Sequence, residues 1–338
     1  MIKLAAVQAA PVWLDAKGTA DKTIALIEQA GRQNIDLLAF GEVWLPGYPY
    51  SIWLHAPLAA MEVVMAHRQN AIKVDGPEMR AICDAAKRAS VWTMLGYAER
   101  DKGSIYCSQA LISDHGRVVL NRRKLRPTHM ERTVWGEGNV EGLTVVETPF
   151  GMVGGLCCWE NLQPINRQGL MQLGEQIHVA CWPGMGMFRG VPGFHAMSIE
   201  ATHGQDASYA LQGGCFVLSA CLIIPEKDRE RICMGNKELL PLVSAGGGAA
   251  AIFGPDGSRL TQPLNDLEDG LAVAEVDLAA IEGAKVFADP GGHYFRADVA
   301  RFVFERIATP INPMPKPVVV TPESKDRTIE SAASAETE

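Results

Sequence analysis

The chain of 338 residues lacks the features of a membrane protein or a secreted protein. No segment approaches the roughly 20 uncharged apolar residues that a transmembrane helix requires. The N-terminal sequence MIKLAAVQ is too short and too quickly polar to form a signal peptide. We therefore expect no association with a membrane.

Positive charge is also scarce. Lysine and arginine total 31, against 39 aspartates and glutamates, so the net charge is −8. Nucleic acids and anionic membrane surfaces attract clustered lysine and arginine, and we expect neither as a partner. Apolar residues make up 47% of the chain and charged residues 21%, which is typical of a globular protein.

The sequence has few signs of a disulfide framework, a metal site or a phosphate site. Its eight cysteines form no C-x-x-C pair and lie mostly in apolar runs, which predicts reduced thiols in a cytoplasmic protein. No two histidines have the H-x-x-x-H spacing of a zinc site. The glycine run at 246–248 lacks the lysine that follows in a phosphate-binding loop.

Strand and helix patterns alternate in the first hundred residues. Buried apolar runs at 2–8, 36–40 and 91–97 predict strands, and helical spacing predicts helices over 18–33 and 77–89. This order predicts a largely parallel sheet covered by helices.

Further along the chain, pairs of short strands are separated by turn sequences, which predicts hairpins. The predicted hairpins join 106–112 to 118–121, 143–148 to 152–157, and 249–253 to 271–276. Helices are expected at 161–173 and 195–212, and strands at 177–182 and 215–220. We therefore predict one α/β domain with mixed sheets over residues 1–305, followed by a flexible proline-rich tail over residues 306–338.

Three positions carry candidate chemistry. The first is Glu42, which follows Gly41 directly after a predicted buried strand. A glutamate at such a position often marks only where solvent begins. Alternatively, burial raises its pKa and makes it a general base, since ligands bind at the carboxyl ends of parallel strands.

The second position lies in a run of cations at 122–126, which leads into a Pro-Thr loop containing His129 and Glu131. Such a run is usually a solvated face. Alternatively, the ammonium of Lys124 is buried and stabilises a developing anion, while Glu131 fixes its position and charge.

The third position is Cys158, where an apolar strand with two glycines turns towards a predicted helix. Most cysteines in apolar runs are inert core residues. A thiol at a strand-to-helix junction, however, meets the positive potential of the helix terminus. This potential lowers the pKa of the thiol and favours a thiolate nucleophile.

In this chain order, Glu42, Lys124 and Cys158 resemble the catalytic set of the nitrilase superfamily of carbon-nitrogen hydrolases. The match is closest to the nitrilase branch, whose motifs are similar to residues 41–49, 123–138, 158–164 and 289–299. The resemblance spans residues 2–305. Members of the family place the nucleophile directly before Trp-Glu, which selects Cys158 over Cys157.

The resemblance implies a four-layer α-β-β-α sandwich with mixed sheets, in a single domain. It also implies homodimers that assemble into larger oligomers or spirals. The segment 51–73 is apolar enough to form such an interface, or else it contains an ordinary amphipathic core helix.

The activity implied is hydrolysis of a small organic nitrile by water to the carboxylic acid and ammonia. Cys158 attacks the nitrile carbon and Glu42 takes the thiol proton. Lys124 stabilises the anion on the thioimidate nitrogen, and Glu131 holds the lysine and the water. This chemistry needs no metal and no organic cofactor. His129 is an alternative base, because a Cys–His pair is the commoner arrangement in thiol hydrolases.

Tyr48, Trp159 and Trp182 are candidate walls of the substrate pocket, although a core-packing role is an alternative for each. Residues 182–188 are expected to shape the specificity. Three other functions stay open: an amidase or carbamoylase of the same superfamily, a cyanide-hydrolysing enzyme, and a non-catalytic assembly scaffold. The nitrilase-like motifs disfavour the first, and the intact catalytic set disfavours the last.

Overall fold

Eleven strands pair into one continuous mixed sheet in this computed structural model, which describes residues 1–300, 303 and 304. The strands are β1 Ile2–Ala9, β2 Leu37–Ala39, β3 Trp92–Asp101, β4 Ser104–Ile112, β5 Val118–Arg123, β6 Val146–Thr148, β7 Gly151–Cys157, β8 Ile177–Trp182, β9 Phe216–Leu222, β10 Ala251–Phe253 and β11 Gly270–Val276. Their order is β5-β4-β3-β2-β1-β9-β8-β7-β6, with β11 paired to β1 and β10 paired to β9.

The sheet opens into two halves where β1 meets β9. These parallel strands pair over only two positions, Gln8 with Cys221 and Ala9 with Leu222. Beyond that point the two strands diverge, and each takes a new antiparallel neighbour. Strand β11 pairs with β1 from Ile2 to Gln8, and β10 pairs with β9.

Helices pack against both halves of the sheet. They are α1 Ala16–Arg32, α2 Met61–Gln69, α3 Pro77–Ala89, α4 Pro164–Gln172, α5 Ile199–Gly213, α6 Arg229–Ile232 and α7 Ala279–Phe287. Local sequence sets their ends. The carboxylate of Asp15 accepts a hydrogen bond from the N–H of Gly18 and caps α1, and Pro77 occupies the first turn of α3.

Three buried groups of apolar side chains separate four layers. One group packs α1 and α3 against the first half of the sheet and includes Ile27 and Ile82. A second group lies between the two halves, where the ring of Trp92 meets that of Phe150 edge-on at 5.8 Å. The third packs α4 and α5 against the second half and includes Leu170. The predicted α-β-β-α sandwich is confirmed.

Most of the predicted elements are present with small shifts at their ends. Strands β1, β2 and β3 are parallel neighbours, as are β7, β8 and β9. The first two predicted hairpins are confirmed as β4–β5 and β6–β7.

The third predicted hairpin is wrong. Strands β10 and β11 do not pair with each other, because the divergence of β1 from β9 leaves each of those strands with a free edge for one of them. The turn at 254–258 does form, but it brings Arg259 back beside Phe253 and does not lead into β11.

The predictions about the tail and about the segment 51–73 stay predictions. The proposed tail, residues 306–338, lies outside the described residues. In the segment 51–73, α2 buries Val63 and His67, whereas Leu58, Met61 and Met65 are exposed. Among the described residues, no helix is long and apolar enough to cross a membrane.

A glycine in the middle of β3 makes room for the chain that follows β2. A Cβ atom on Gly96 would overlap the carbonyl oxygen of Gly41 and lie 3.1 Å from the nitrogen of Val43. We expect Gly96→Ala to lower the free energy of unfolding by about 2 kcal/mol, because this backbone has to move. Gly103, in the turn of the same hairpin, has no atom within 4 Å of its Cβ position. Chemical denaturation of Gly96→Ala and the control Gly103→Ala checks this, and equal stabilities would contradict it.

Candidate active site

The ends of three strands converge on one buried site. Glu42 lies three residues beyond β2, Lys124 directly follows β5, and Cys158 directly follows β7. One carboxylate oxygen from Glu42, one from Glu131 and the Sγ atom of Cys158 all lie within 4.8 Å of one another. The structure therefore brings together residues from three distant parts of the sequence.

Lys124 is fully buried and bonded to two carboxylates. Its Nζ atom donates to Glu42 Oε1 at 2.8 Å and to Glu131 Oε2 at 2.7 Å. Burial disfavours the ammonium, but Glu131 and Glu42 outweigh this effect and hold the pKa of Lys124 well above its ordinary value. Lys124 therefore remains a cation at neutral pH.

Glu42 has one occupied oxygen and one free oxygen. Oε1 accepts from Lys124 and, at 3.6 Å, from the thiol of Cys107, whereas the buried Oε2 has no hydrogen-bond partner. Burial raises the pKa of Glu42 to about 7, against the opposing effect of Lys124. The side chain is fully buried, so the alternative that Glu42 merely marks where solvent begins is wrong.

Glu131 is held from several directions. It lies in the 3-10 turn His129–Thr133, where its Oε2 atom accepts from the backbone N–H of Thr128 at 2.7 Å as well as from Lys124. Its Oε1 atom accepts from the hydroxyl of Tyr48 at 2.8 Å. Both oxygens of Glu131 are thus occupied, and Glu131 fixes the position of the ammonium.

Cys158 is the first residue of a short 3-10 turn, Cys158–Leu162, and has a φ of 49°. This left-handed conformation is strained for a residue with a side chain. Burial raises the pKa of the thiol well above its ordinary value, and the charge of Glu42 adds to the effect. The expected lowering of this pKa by a helix terminus is wrong, because burial and the two carboxylates outweigh any helix-end potential. A neighbouring base is needed to remove the proton.

Three cations of the run, Arg122, Arg123 and Lys124, are buried and do not form a solvated face, whereas Arg126 is exposed. Arg122 donates from two nitrogens to Glu160, at 2.8 and 3.0 Å, and Glu160 also accepts from the backbone N–H groups of Cys157 and Leu125. Arg122 thereby ties the chain beside Lys124 to the chain beside Cys158. We did not predict this role, although the two-residue spacing of Arg122 and Lys124 places them on the same side of an extended chain.

An apolar cleft with a cavity volume of about 40 Å³ leads to Cys158. Its lining includes four aromatic residues, three methionines and, at the inner end, Cys158 and Glu131; the aromatic residues are Tyr48, Tyr50, Trp53 and Trp159, and the methionines are Met185, Met187 and Met197. Two of the three predicted wall residues, Tyr48 and Trp159, thus line the cleft.

Trp182 is placed elsewhere. Its indole N–H donates to the carboxylate of Asp206, and its carbonyl oxygen accepts from the N–H of Glu42 at 3.0 Å. It supports the backbone of Glu42 and does not face the cleft. His129 is exposed, and its ring stacks on Trp53 with the centroids 5.7 Å apart.

Two groups of buried side chains have the geometry to hold a metal ion among the described residues. Glu42, Glu131 and Cys158 form one, and Glu42, Cys107 and Cys157 form the other. In the first group the ammonium of Lys124 already bonds both carboxylates. It supplies there the positive charge that a metal ion would bring.

Comparison with known proteins places the chain in a family. The family profile described as carbon-nitrogen hydrolase matches residues 3–286. A nitrilase of Pseudomonas syringae pv. syringae is 46% identical over 319 residues, which cover 94% of this chain and 92% of that protein. An aliphatic nitrilase of Rhodococcus rhodochrous is 42% identical over 312 residues, which cover 92% of this chain and 84% of that protein.

A solved structure shows the same fold at low sequence identity. The carbon-nitrogen hydrolase of Helicobacter pylori superposes with a TM-score of 0.70 at 17% identity, over 89% of this chain and 98% of that one. The chain belongs to the carbon-nitrogen hydrolase family and, within it, to the nitrilase branch.

Proposed function

We propose that this protein is a nitrilase that hydrolyses an organic nitrile to the carboxylic acid and ammonia, with Cys158 as the nucleophile. The observation that carries the proposal is the free Oε2 atom of Glu42 in a site with a protonated thiol and a fixed ammonium. The two nitrilases compared above support the reaction class.

In the first step, the thiol of Cys158 attacks the nitrile carbon and its proton passes to Glu42. The thiol needs a base because burial keeps it protonated at neutral pH. Oε2 of Glu42 is the oxygen for this role, since Oε1 already accepts from Lys124 and Cys107. A base whose pKa lies near the working pH is well suited to accept a proton and return it.

As the carbon–sulfur bond forms, negative charge develops on the nitrile nitrogen. The ammonium of Lys124 stabilises this charge, and the proton on Glu42 is then transferred to the nitrogen, which gives a thioimidate. Lys124 requires no reorganisation for this task, because Glu42 and Glu131 already fix it in the buried site.

Two water molecules complete the reaction. Glu42 removes a proton from the first water, which adds to the thioimidate carbon, and the resulting tetrahedral intermediate expels ammonia and leaves a thioester. The second water adds in the same way and releases the carboxylic acid together with the thiol of Cys158. The whole sequence uses only this chain's residues, the nitrile and water.

The lining of the cleft favours an uncharged, apolar substituent on the nitrile. Its walls are aromatic rings and methionine side chains, and the carboxylate of Glu131 is already paired with Lys124.

Amide or carbamoyl hydrolysis is the second candidate function, since the same nucleophile, base and cation serve that reaction.

We also propose that the protein is cytoplasmic and forms homodimers that associate further. All eight cysteines are buried and free of disulfides, which suits a reducing compartment. Leu58 is 84% exposed and lies near the exposed Met61 and Met65, so this face offers apolar surface for self-association.

The nucleophile is tested with paired cysteine variants. Cys158→Ala should reduce release of acid and ammonia from an apolar nitrile by at least about 10³-fold, since only binding and electrostatic effects remain. Cys157→Ala, which removes the thiol of the preceding residue, should retain most of the activity. Hydrolysis of amides alone would favour the amidase, and activity lost only in Cys157→Ala would contradict the assignment. No turnover of either substrate class would favour a scaffold.

The pKa of Glu42 predicts an acidic limb in the pH–rate profile. A carboxyl group with a raised pKa loses its negative charge as the pH falls through about 7, instead of near the ordinary 4.5. We expect kcat/KM to fall about tenfold per pH unit well below pH 7. Rates between pH 5 and 8, measured with one nitrile, check this.

Asp206 provides the matched control, because burial raises its pKa to about 7 as well, yet it contacts Trp182 and does not line the cleft. Asp206→Asn should keep the acidic limb, and Glu42→Gln should abolish activity. If the acidic limb disappeared in Asp206→Asn, it would come from Asp206, and its assignment to Glu42 would be wrong.

A further inference from the structure

A path of four buried polar side chains leads from the backbone of Cys158 to helix α5. The amide of Asn161 bonds the carbonyl oxygen of Cys158 at 2.9 Å, and its Oδ1 atom lies 2.8 Å from Nε2 of His178. The Nδ1 atom of His178 lies 2.8 Å from Glu175, which accepts from the hydroxyl of Tyr209 at 2.5 Å. We name these four residues the support path, and none is more than 2% exposed.

The orientation of the Asn161 amide follows from its neighbours. Its Nδ2 group faces the carbonyl oxygens of Cys158, at 2.9 Å, and Leu156, at 3.4 Å, and carbonyl oxygens can only accept. Oδ1 must therefore face His178. An amide oxygen also only accepts, so the Nε2 atom of His178 carries a proton.

The other side of His178 holds a second proton. Its Nδ1 atom faces Oε1 of Glu175, and a hydrogen bond between these atoms requires a proton on one of them. Tyr209 keeps its own proton, because burial and then the charge of Glu175 raise its pKa well above the ordinary value, and it donates to Oε2. Glu175 and His178 together thus hold two protons and carry no net charge.

The support path ends on the strained residue of the site. Cys158 has a φ of 49°, and its carbonyl oxygen accepts a hydrogen bond from the side chain of Asn161. If Nε2 of His178 lost its proton, its lone pair would face Oδ1 of Asn161. The amide would then turn over to donate to His178, and the hydrogen bond to Cys158 would be lost.

We propose that His178 and Glu175 are positioning residues that hold Asn161 in one orientation, and that Asn161 in turn holds Cys158 in its left-handed conformation. This inference rests on the proposed role of Cys158 as nucleophile. The support path touches neither the cleft nor the reacting atoms. Its effect is therefore on where the thiol points, and not on how tightly the nitrile binds.

His178→Phe tests the proposal, since a phenyl ring keeps the stacking on Tyr209, at 3.8 Å between centroids, but has no N–H group. We expect kcat to fall about 100-fold, as for a misplaced nucleophile, with KM within about threefold of the wild type. Glu175→Gln should keep kcat within about threefold, because its amide can donate to Nδ1 and so maintain the proton on Nε2. His203→Gln is the control: His203 lies on α5 and bonds the carbonyl oxygen of Ala249, outside the support path.

A second readout does not depend on nitrile turnover. The rate of alkylation of Cys158 by iodoacetamide, followed by peptide mass spectrometry, should fall in parallel with kcat in His178→Phe and stay unchanged in His203→Gln. Asn161→Ala should behave like His178→Phe, and it replaces that variant in the test if His178→Phe does not fold.

The proposal would be overturned if His178→Phe and Asn161→Ala both kept the kcat and the alkylation rate of the wild type. A loss in Glu175→Gln as large as in His178→Phe would also overturn it, since a carboxyl group at this position, and not only a hydrogen bond to Nδ1, would then be required. If the wild type hydrolyses no nitrile, the alkylation rates still show whether the support path positions Cys158.

Discussion

The ammonium of Lys124, bonded to two buried carboxylates, is the interaction on which the rest of the site depends. Removing it would leave Glu42 and Glu131 facing each other without a counter-charge, and loss of one member of a buried ionic group typically costs about 3–5 kcal/mol. The two carboxylates are not equivalent. Glu131 uses both oxygens for hydrogen bonds, whereas Glu42 keeps one oxygen free, and this difference is the reason that we propose Glu42, and not Glu131, as the base.

The sandwich fold supplies the parts of this arrangement from both of its halves. Glu42 and Lys124 come from the half that contains β1 to β5, and Cys158 comes from the half that contains β6 to β9. The buried pair of Arg122 and Glu160 joins the two halves directly beside the site. The core of the second half also encloses the support path of Asn161, His178, Glu175 and Tyr209. The way the two halves pack therefore also determines where the thiol lies.

Local patterns in the sequence predicted the features that depend on local structure. Apolar runs placed Glu42, Lys124 and Cys158 at strand ends, and the turn signals gave two of three hairpins. The prediction of the third hairpin was wrong because the partners of β10 and β11 depend on how β1 and β9 diverge. No local sequence pattern encodes this divergence. The high pKa of the Cys158 thiol was missed for a similar reason, since it depends on burial and on carboxylates that are distant in the sequence. Trp182 likewise bonds Asp206 on α5, a contact that depends on how this helix packs on the sheet.

The central claim is that Glu42 is a buried carboxyl group whose proton exchanges near neutral pH. The most direct measurement is infrared difference spectroscopy of the protonated carboxyl band as the pH is varied, with Glu42→Gln subtracted from the wild type. We expect a band that belongs to protonated Glu42 and disappears as the pH rises, with a midpoint at about pH 7. A midpoint near the ordinary 4.5 would contradict the claim, because Glu42 would then stay ionised throughout the neutral range and would be too weak a base for the thiol.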